Sequence, residues 1–193
     1  MIRLLFKKPY RRLTDEELMQ MVAQDGNEKA FNELYRRYAR RLQGFFYRMY
    51  DRNADAAADA CQELFLKIWV SAGSYKEDAS FKPWLYSIAY NQHKSVCRHL
   101  EVETKYANEQ VACSEEASEN DYDIKLDNET LLEALDDTLK KLPKESRTLF
   151  ALRYEEELSI SQVAEILQIP EGTVKSRIHR LLQTIKQQLK DYE

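Results

Sequence analysis

The chain has 193 residues and a net charge of −4, with 44% hydrophobic and 32% charged residues. This composition excludes an intrinsically disordered chain, which would have too few hydrophobic residues to fold, and it fits one medium domain or two small ones. The chain has only four glycines and four prolines. Because a β-rich fold needs many turns, so few turn residues favour a helical protein.

The sequence argues against a membrane span, a signal peptide, disulfides and a zinc site. No segment approaches the roughly 18 consecutive apolar residues that a membrane span needs. The N-terminal stretch has basic residues but no long apolar core and no small-residue cleavage site, so we expect no signal peptide. Three widely spaced cysteines, Cys61, Cys97 and Cys113, indicate free or buried thiols rather than disulfides or a zinc site. We therefore expect a cytoplasmic protein without cofactors.

The charge is unevenly distributed along the chain. Residues 101–129 contain ten acidic residues and two lysines, so this segment carries −8 and the rest of the chain carries +4. The first twelve residues have five basic groups and no acidic one, and residues 171–190 have five basic groups against Glu171. Local positive patches, rather than the total charge, govern attraction to phosphates. Nucleic acid therefore stays possible as a partner.

The first half of the chain carries three helical patterns in succession. In the first, apolar residues recur at three- and four-residue steps and arginines lie on the other side; its stripe is Phe31, Leu34, Tyr35, Tyr38, Leu42, Phe45, Phe46 and Met49. The second begins near Ala54 and has Ala57, Ala60, Cys61, Leu64 and Ile68 on its inner side. The third begins near Ser80 or Pro83, with Leu85, Ile88, Ala89 and Val96 inside. Residues 101–129 lack periodicity and read as a flexible acidic tether.

The second half predicts four helices. The first carries leucines up to Leu142, and the second covers about 144–156 after Pro143. A capping box of Ser159 and Gln162 predicts the start of a short third helix. A break over residues 168–172 then precedes the fourth helix, whose inward residues are Val174, Ile178, Leu181, Leu182, Ile185 and Leu189.

A short helix, a tight break and a longer basic helix predict a helix-turn-helix, in which the second helix enters the major groove of DNA. Opposite its apolar face, this helix carries donor-bearing residues that suit base edges, namely Lys175, Ser176, His179, Arg180 and Gln183. Thr173 and Arg177 lie on the flank and suit phosphate contacts. Periodicity alone leaves an ordinary solvated helix as an equal alternative.

The residues of these blocks resemble the extracytoplasmic-function (ECF) group of sigma factors in the sigma-70 family (group IV). Region 4.2 is similar to LSISQVAEILQIPEGTVKSRIHRLLQTIKQQL, and region 4.1 to ALDDTLKKLPKESRTLFALRYEEELS. Region 2.1 resembles AFNELYRRYARRL, region 2.2 resembles DAAADACQELFLKIW, and regions 2.3 and 2.4 resemble SYKEDASFKPWLYSIAYNQHKSVCRH. Several motifs in the family's order are more specific than one helix-turn-helix.

The resemblance implies an all-α protein of two small helical domains. Residues 1–12 would be a basic extension, 13–100 a region 2 domain, 101–129 the acidic linker and 130–193 a region 4 domain. Such a protein would bind core RNA polymerase and direct promoter recognition, DNA melting and transcription initiation. Region 2 would dock on the β′ clamp helices and read the minus-10 element, while region 4 would sit at the β flap and read the minus-35 element. An anti-sigma factor would control it.

Individual site residues follow from the family's motifs. Asn91 would capture a flipped non-template base, with Tyr75 as a possible wall of its pocket, and Trp84 fits the core better than a base platform. His93, Lys94 and Arg98 would meet phosphates. The minus-35 contacts would be Thr173, Lys175, Ser176, Arg177, His179 and Arg180. Residues facing the clamp helices would be Asp59, Gln62, Glu63 and Phe65.

Three other classes of protein compete with this interpretation. An enzyme is disfavoured because the sequence has no glycine-rich phosphate loop and no HExxH or GxSxG motif. A stand-alone DNA-binding regulator would share the C-terminal block, but it would not need the aromatic and asparagine cluster for unpaired bases. A helical adaptor that binds only proteins would leave the basic face from Lys175 to Arg180 unexplained.

Overall fold

The computed structural model describes residues 9–76, 78–107 and 128–189, and within 97–107 and 128–133 it describes the backbone alone. Every regular element in these ranges is helical, which confirms the all-α prediction. The α-helices are α1 (Asp15–Asp25), α2 (Glu28–Met49), α3 (Ala54–Val70), α4 (Phe81–Ala107), α5 (Asn128–Lys141), α6 (Lys144–Phe150), α7 (Ile160–Leu167) and α8 (Glu171–Gln188). None of the helices in the described ranges combines the length and hydrophobicity that a membrane crossing requires.

Helix α1 is an element that the apolar patterns did not predict. It begins with a capping box, in which the Thr14 amide donates to the Glu17 carboxylate at 2.7 Å and the Glu17 amide donates to the Thr14 hydroxyl at 3.1 Å. It ends at Asp25 and is capped by Gly26, whose φ of 58° is a left-handed conformation that glycine adopts without steric cost. The Thr14-x-x-Glu17 spacing was the available signal for this helix.

Helices α1 to α4 form the N-terminal unit around one apolar core. The predicted stripes of α2 and α3 are buried, apart from Phe31, which is half-buried, and Tyr35, which is exposed. Asn27 and Asn53 cap α2 and α3 by accepting from the amides of Ala30 and Ala56, each at 3.0 Å. These caps fix where each helix begins, and therefore which side chains face the core.

The predicted acidic linker is shorter at both ends than residues 101–129. Helix α4 continues to Ala107, and α5 begins at Asn128. Most of the predicted tether, residues 108–127, lies outside the described residues, as does most of the basic N-terminal extension. The described end of that extension, Tyr10–Arg12, forms a 3₁₀ turn.

Helices α5 to α8 form the C-terminal unit. The single helix predicted over about 144–156 is instead α6 followed by a π-helical turn over Ala151–Glu155. The predicted capping box is confirmed, because the Ser159 amide donates to Gln162 at 2.9 Å and the Gln162 amide donates to the Ser159 hydroxyl at 3.2 Å. Leu182, predicted to point inward, is 43% exposed, because the core side of α8 follows Val174, Leu181 and Ile185.

The two units pack directly against each other. Helix α7 lies on α4, and α6 lies on α2. Ion pairs also cross this boundary; among them, Arg48 contacts Glu155 at 2.7 Å and Arg52 contacts Asp136 at 2.7 Å. These contacts hold the N-terminal and C-terminal units together as one packed body.

Candidate nucleic-acid and polymerase interfaces

Helices α7 and α8 form the predicted helix-turn-helix. Helix α7 ends at Leu167 and is followed by Gln168, whose φ of 56° turns the chain, and Pro170 precedes the first turn of α8. Pro170 suits this position because its fixed φ is compatible with the start of a helix. Val163 and Ile166 on α7 and Val174 on α8 are fully buried or nearly so. This packing fixes the rotation of α8 and turns its polar side away from the core.

The predicted DNA-reading residues lie on that outward side. Lys175, Ser176, Arg177, His179 and Arg180 are exposed, and Thr173 is half-buried. Arg177 contacts Glu145 of α6 at 3.0 Å, and His179 contacts Gln183 at 3.0 Å. Lys175 lies 3.9 Å from Glu171, a weak exposed pair that a phosphate can replace. Within the described part of the chain, Arg180 forms no ion pair, so its guanidinium is available.

Helix α4 presents Asn91 and Lys94 to solvent, as a contact with DNA requires. Its neighbours point elsewhere. Gln92 is buried and donates to the Ala60 carbonyl at 2.9 Å and to the Glu63 carboxylate at 3.1 Å. His93, predicted to meet phosphate, is instead buried with its ring 5.0 Å from that of Tyr50, and this burial lowers its pKa. The side chain of Arg98 lies outside the described residues.

The aromatic residues before Asn91 are arranged differently from the prediction. Tyr75, expected as a wall for a flipped base, is buried, and its hydroxyl donates to the Ala79 carbonyl. Its ring packs 5.0 Å from that of Trp84, and Phe81 closes the cluster. Trp84, expected in the core, is half-buried and lines an open groove of about 610 Å³. Tyr75 therefore ties the segment that follows α3 to Ala79, just before α4, while Trp84 is the ring that reaches the surface.

The groove runs between the end of α3 and the start of α4. Its lining is mostly apolar, with Leu66, Val70, Trp84 and Ile88, and it includes polar groups from Glu63, Lys67, Ser71 and Ser74. Trp84, Ile88 and Asn91 follow one another at four- and three-residue steps, which places them on one side of α4. Asn91 therefore lies on the groove side of α4, one turn beyond Ile88.

Of the four α3 residues predicted to face the polymerase, three are exposed and one is buried. Asp59, Gln62 and Glu63 are exposed, and Glu63 pairs with Lys67 at 2.7 Å. Phe65, however, is buried, because its ring packs between Phe31 at 6.0 Å and Tyr35 at 4.6 Å. Its place at the surface is taken by neighbouring apolar side chains, of which Leu66 is 66% exposed and Val70 is 84% exposed.

These exposed apolar residues were missed from the sequence. Besides Leu66 and Val70, Trp69 is 37% exposed and packs against Phe31 of α2, and Tyr35 of α2 is 44% exposed. The available signal was the run from Leu64 to Val70, in which Lys67 is the one polar residue. A helix that is apolar on every side over two turns must be covered on every side. Exposed apolar patches are typical of surfaces that bind another protein or a ligand.

The titratable groups of the described residues do not assemble into a metal site, since no cluster of His, Cys, Asp and Glu there has a suitable arrangement. The Cys61 thiol is buried and lies 3.7 Å from the Ala39 carbonyl. Burial raises the pKa of this thiol to about 11. It is therefore a core residue with little thiolate character.

Two family models match the chain. The model described as Sigma-70 region 2 matches residues 34–101, and the model described as Sigma-70, region 4 matches residues 132–185. The first match spans most of α2 to α4, and the second spans the helix-turn-helix. Together they cover the exposed surfaces of α3, α4 and α8.

Curated relatives and solved structures agree with these matches. The ECF RNA polymerase sigma-E factor of Haemophilus influenzae is 34% identical over 92% of this chain and 96% of its own length. The RNA polymerase sigma-H factor of Pseudomonas aeruginosa is 32% identical over 92% and 96%, and the ECF factor SigW of Bacillus subtilis is 31% identical over 86% and 92%.

Among solved structures, the fold is similar to CnrH in complex with the cytosolic domain of CnrY, with a TM-score of 0.63 and 20% identity over 93% of this chain and 99% of that one. It is also similar to the sigma factor RpoE in complex with the anti-sigma factor NepR from Bartonella quintana, with a TM-score of 0.63 and 24% identity over 84% and 98%. The identities over nearly the whole chain decide the family: this protein is an ECF sigma factor of the sigma-70 family, a transcription initiation factor rather than an enzyme.

Proposed function

We propose that this chain binds core RNA polymerase in the cytoplasm and directs it to promoters by reading a minus-35 element with α8 and a minus-10 element with α4. The observation that carries the proposal is the exposed polar side of α8, whose rotation is fixed by the buried residues Val174 and Leu181. Arg180 and Lys175 on this side are of the residue types that pair with guanine in the major groove.

On the minus-10 side, Asn91 supplies a donor and an acceptor for the edge of an unpaired base. Trp84, two turns earlier on the same side of α4, offers an aromatic surface for stacking, and Lys94 supplies a positive charge for a phosphate. The predicted wall residue Tyr75 would then act by holding the loop through its bond to Ala79.

The partner surfaces follow from the exposed apolar patch. The outward face of α3, from Asp59 to Val70, would dock on the β′ clamp helices, with acidic and amide groups at one end and apolar side chains at the other. The C-terminal unit would sit at the β flap. An anti-sigma factor would cover these faces, as the complexes of the structural relatives suggest.

The test is an in-vitro transcription series with bacterial core polymerase on promoters that the wild-type protein selects. Arg180→Ala is expected to reduce transcription roughly 10-fold, because one base contact contributes about 1–3 kcal/mol. Lys186→Ala, which removes the same charge from the last turn of α8, is the matched control. On a promoter whose contacted minus-35 base is changed, Arg180→Ala should have no further effect.

The proposed contact between Asn91 and the minus-10 element is tested with a second pair of variants. Asn91→Ala should impair opening of the DNA, measured by permanganate reactivity of unpaired thymines, while Gln43→Ala, which removes an exposed amide from α2, should not. If all four variants transcribe like the wild type, neither helix reads DNA as proposed. Tight duplex binding by the protein alone, without polymerase-dependent start sites, would favour the stand-alone regulator.

A further inference from the structure

The outward side of the first half of α2 carries cations and neutral donors. Lys29, Arg36 and Arg40 follow one another at steps of seven and four residues, which places them on one side of the helix. All three are exposed, and the exposed amide of Asn32 lies among them. After its first residue, α2 contains a single acidic residue, Glu33, and that residue is buried. This side of the helix therefore presents positive charge to its surroundings.

The 3₁₀ turn before α1 adds two cations beside this side of α2. Arg11 and Arg12 are both exposed. The turn is held on α2 by Arg37, whose guanidinium donates to the carbonyls of Tyr10 and Arg11, each at 3.2 Å. Arg37 is itself fixed by its ion pair with Asp15 at 2.6 Å. We call the exposed cations of the turn and the helix the basic strip; they are Arg11, Arg12, Lys29, Arg36 and Arg40.

The turn and the helix border an open groove of about 450 Å³. It is lined by polar groups from Arg11, Lys29, Asn32 and Arg36, and Glu33 is the acidic residue among its lining. The Glu33 carboxylate accepts from Arg36 at 2.9 and 2.7 Å, which leaves the other N–H groups of this guanidinium for a ligand. A phosphate group has the negative charge and the acceptor oxygens that such a lining binds.

The acidic residues next to the basic strip are engaged inside the protein. Asp15 pairs with Arg37 at 2.6 Å. The Glu16 carboxylate accepts from the Phe81 amide at 3.0 Å, and Glu17 completes the capping box of α1. None of these three carboxylates is fully exposed. They therefore do little to cancel the outward positive charge of the strip.

The cations of the basic strip, in contrast, are largely available. Among the described residues, Arg36 is the member that forms an ion pair, with Glu33, and the others form none. The whole chain has 33 acidic and 29 basic residues. A face that served only to keep such a protein solvated would be expected to carry both signs, whereas a surface of one sign attracts a ligand of the opposite charge.

The length and composition of the basic strip favour a nucleic-acid backbone as this ligand. Lys29 and Arg40 are eleven residues apart, which is about 16 Å along the helix axis. Duplex DNA carries one negative charge for about every 1.7 Å of its axis, so a strip of this length can contact more than one phosphate. A membrane surface fits less well, because basic membrane-binding helices also present apolar side chains, and the strip consists of charged ones.

We propose that the basic strip binds the sugar–phosphate backbone of DNA, as a contact separate from the sides of α4 and α8 that read sequence. Phosphate contacts add affinity and position the protein, but they carry no sequence information. The strip therefore contributes affinity that is equal on every sequence and that falls as salt rises. Its use at promoters rests on the proposed function, whereas binding of DNA by the strip is a property of the chain alone.

The test compares the full wild-type chain with two double variants. The strip variant is Lys29→Gln/Arg40→Gln; Arg36 is left intact because it also holds a buried carboxylate. The control variant, Lys141→Gln/Lys186→Gln, removes two exposed lysines from the last turns of α5 and α8 and so changes the net charge equally. Unchanged circular dichroism shows that each variant is folded.

The affinity for random-sequence DNA is measured by fluorescence anisotropy over a range of salt concentrations, with a duplex and with a single strand of the same length. Each phosphate contact contributes about 0.9 to the slope of log affinity against log salt on duplex DNA and about 0.7 on a single strand. The slope of the strip variant should therefore be about 1.8 smaller than that of the wild type on the duplex, or about 1.4 smaller on the single strand. The control should keep the wild-type slope.

The same result can be stated as a loss of affinity. Between about 50 and about 200 mM salt, the wild type should lose about 12-fold more affinity for the duplex than the strip variant does. A change on the duplex assigns the strip to double-stranded DNA, and a change on the single strand alone assigns it to unpaired DNA. Wild-type slopes in the strip variant on both forms of DNA, or an equal change in the control, would overturn the proposal.

A second readout uses the complex with core polymerase. The strip variant should weaken binding by the same factor on a promoter and on that promoter with its contacted minus-35 base changed, whereas Arg180→Ala should lose its effect on the changed promoter. A strip variant that is impaired on the unchanged promoter alone would overturn a contact with the backbone. If no chain directs transcription, the wild type included, the proposed function fails, and the salt slopes still decide the strip.

Discussion

Glu33 is a buried carboxylate on α2 that anchors two arginines. It accepts from Arg36 at 2.9 and 2.7 Å and from Arg37 at 2.9 Å. Arg37 in turn pairs with Asp15 of α1 at 2.6 Å and donates to backbone carbonyls of the preceding segment, including Leu13 at 3.0 Å. One carboxylate thus orients the arginine that holds the start of α1 against α2.

We expect Glu33→Gln to lower the free energy of unfolding of the N-terminal unit, by an amount that depends on pH. Hydrogen bonds from Arg36 and Arg37 outweigh the opposing effect of burial and lower the pKa of Glu33 from 4.5 to about 2. Because the folded-state pKa is the lower one, the contribution to stability is fully present above about pH 4.5 and is lost as the pH falls toward 2. Urea denaturation at pH 7 should show a loss of about 2 kcal/mol.

The difference between Glu33→Gln and the wild type should narrow steadily as the pH falls below about 4.5. Glu165→Gln, at an exposed position on α7, is the control and should change stability by less than about 0.5 kcal/mol at every pH. A loss of stability that is the same at pH 7 and pH 3 would contradict the ionised role of Glu33.

At the scale of the element, the turn of the helix-turn-helix contains one residue in an unfavourable backbone conformation. Gln168 is exposed and holds a φ of 56° between α7 and α8. Most helices that end in this way use glycine, because a side chain in the left-handed region clashes with the backbone. The geometry of α8 relative to α7 is therefore maintained by the packing of Val163, Ile166 and Val174 rather than by the turn residue.

Gln168→Gly should stabilise the protein by about 0.5–1 kcal/mol, since it removes the left-handed strain at the expense of some chain entropy. Gln168→Ala keeps the strain and removes the side chain, so it should not increase stability. Chemical denaturation of the three chains tests this. Equal stabilisation by alanine and glycine would show that the side chain, not the backbone, is responsible.

The exposed end of α3 supports a prediction about polymerase binding. Val70 is 84% exposed beside Leu66 and Trp69, and burial of such a patch at an interface centre contributes most of the binding energy. Val70→Asp should weaken binding to core polymerase by about 10-fold or more, measured by fluorescence anisotropy. Gln43→Asp adds the same charge at an exposed position on α2 and should bind normally. Equal affinities would remove this patch from the polymerase interface.

The sequence predicted elements well where local chemistry decides them. The apolar stripe of α2, the capping box at Ser159 and the polar side of α8 all follow from spacing within a few residues. Helix α1 was missed because its apolar pattern is short, although the Thr14–Glu17 capping box was present. The π-helical turn and the outward position of Leu182 could not be predicted, because they follow from how α6 and α8 pack in the folded unit.

The candidate site residues divide in the same way, into those whose position is set by local sequence and those whose position depends on tertiary packing. Asn91, Lys94 and the α8 residues were placed at the surface as expected, since helix periodicity alone sets their direction. Tyr75 and Phe65 were expected at the surface but lie in aromatic clusters, and Trp84, expected in the core, packs against the core and also lines the groove. Aromatic residues at the edge of a core are large enough to occupy either place, and neighbouring elements decide which.

At the scale of the whole molecule, the two units present different candidate binding surfaces. They share a boundary that is crossed by ion pairs. No local pattern predicts this boundary, because its partners lie far apart in sequence; Arg52 and Asp136, for example, are 84 positions apart. The acidic segment gives the chain its negative net charge, while α8 carries a local excess of basic residues. If the proposed function holds, each unit alone should bind DNA weakly, and the polymerase should strengthen binding by holding both units at the correct spacing.

The most direct test of the central proposal is transcription of fragmented genomic DNA by core polymerase with and without the purified protein, followed by mapping of the RNA 5′ ends. We predict a limited set of start sites that appear only with the protein and share two sequence elements upstream. If the protein adds no start sites while binding to core polymerase is absent, the account of this chain as a promoter-directing subunit is contradicted.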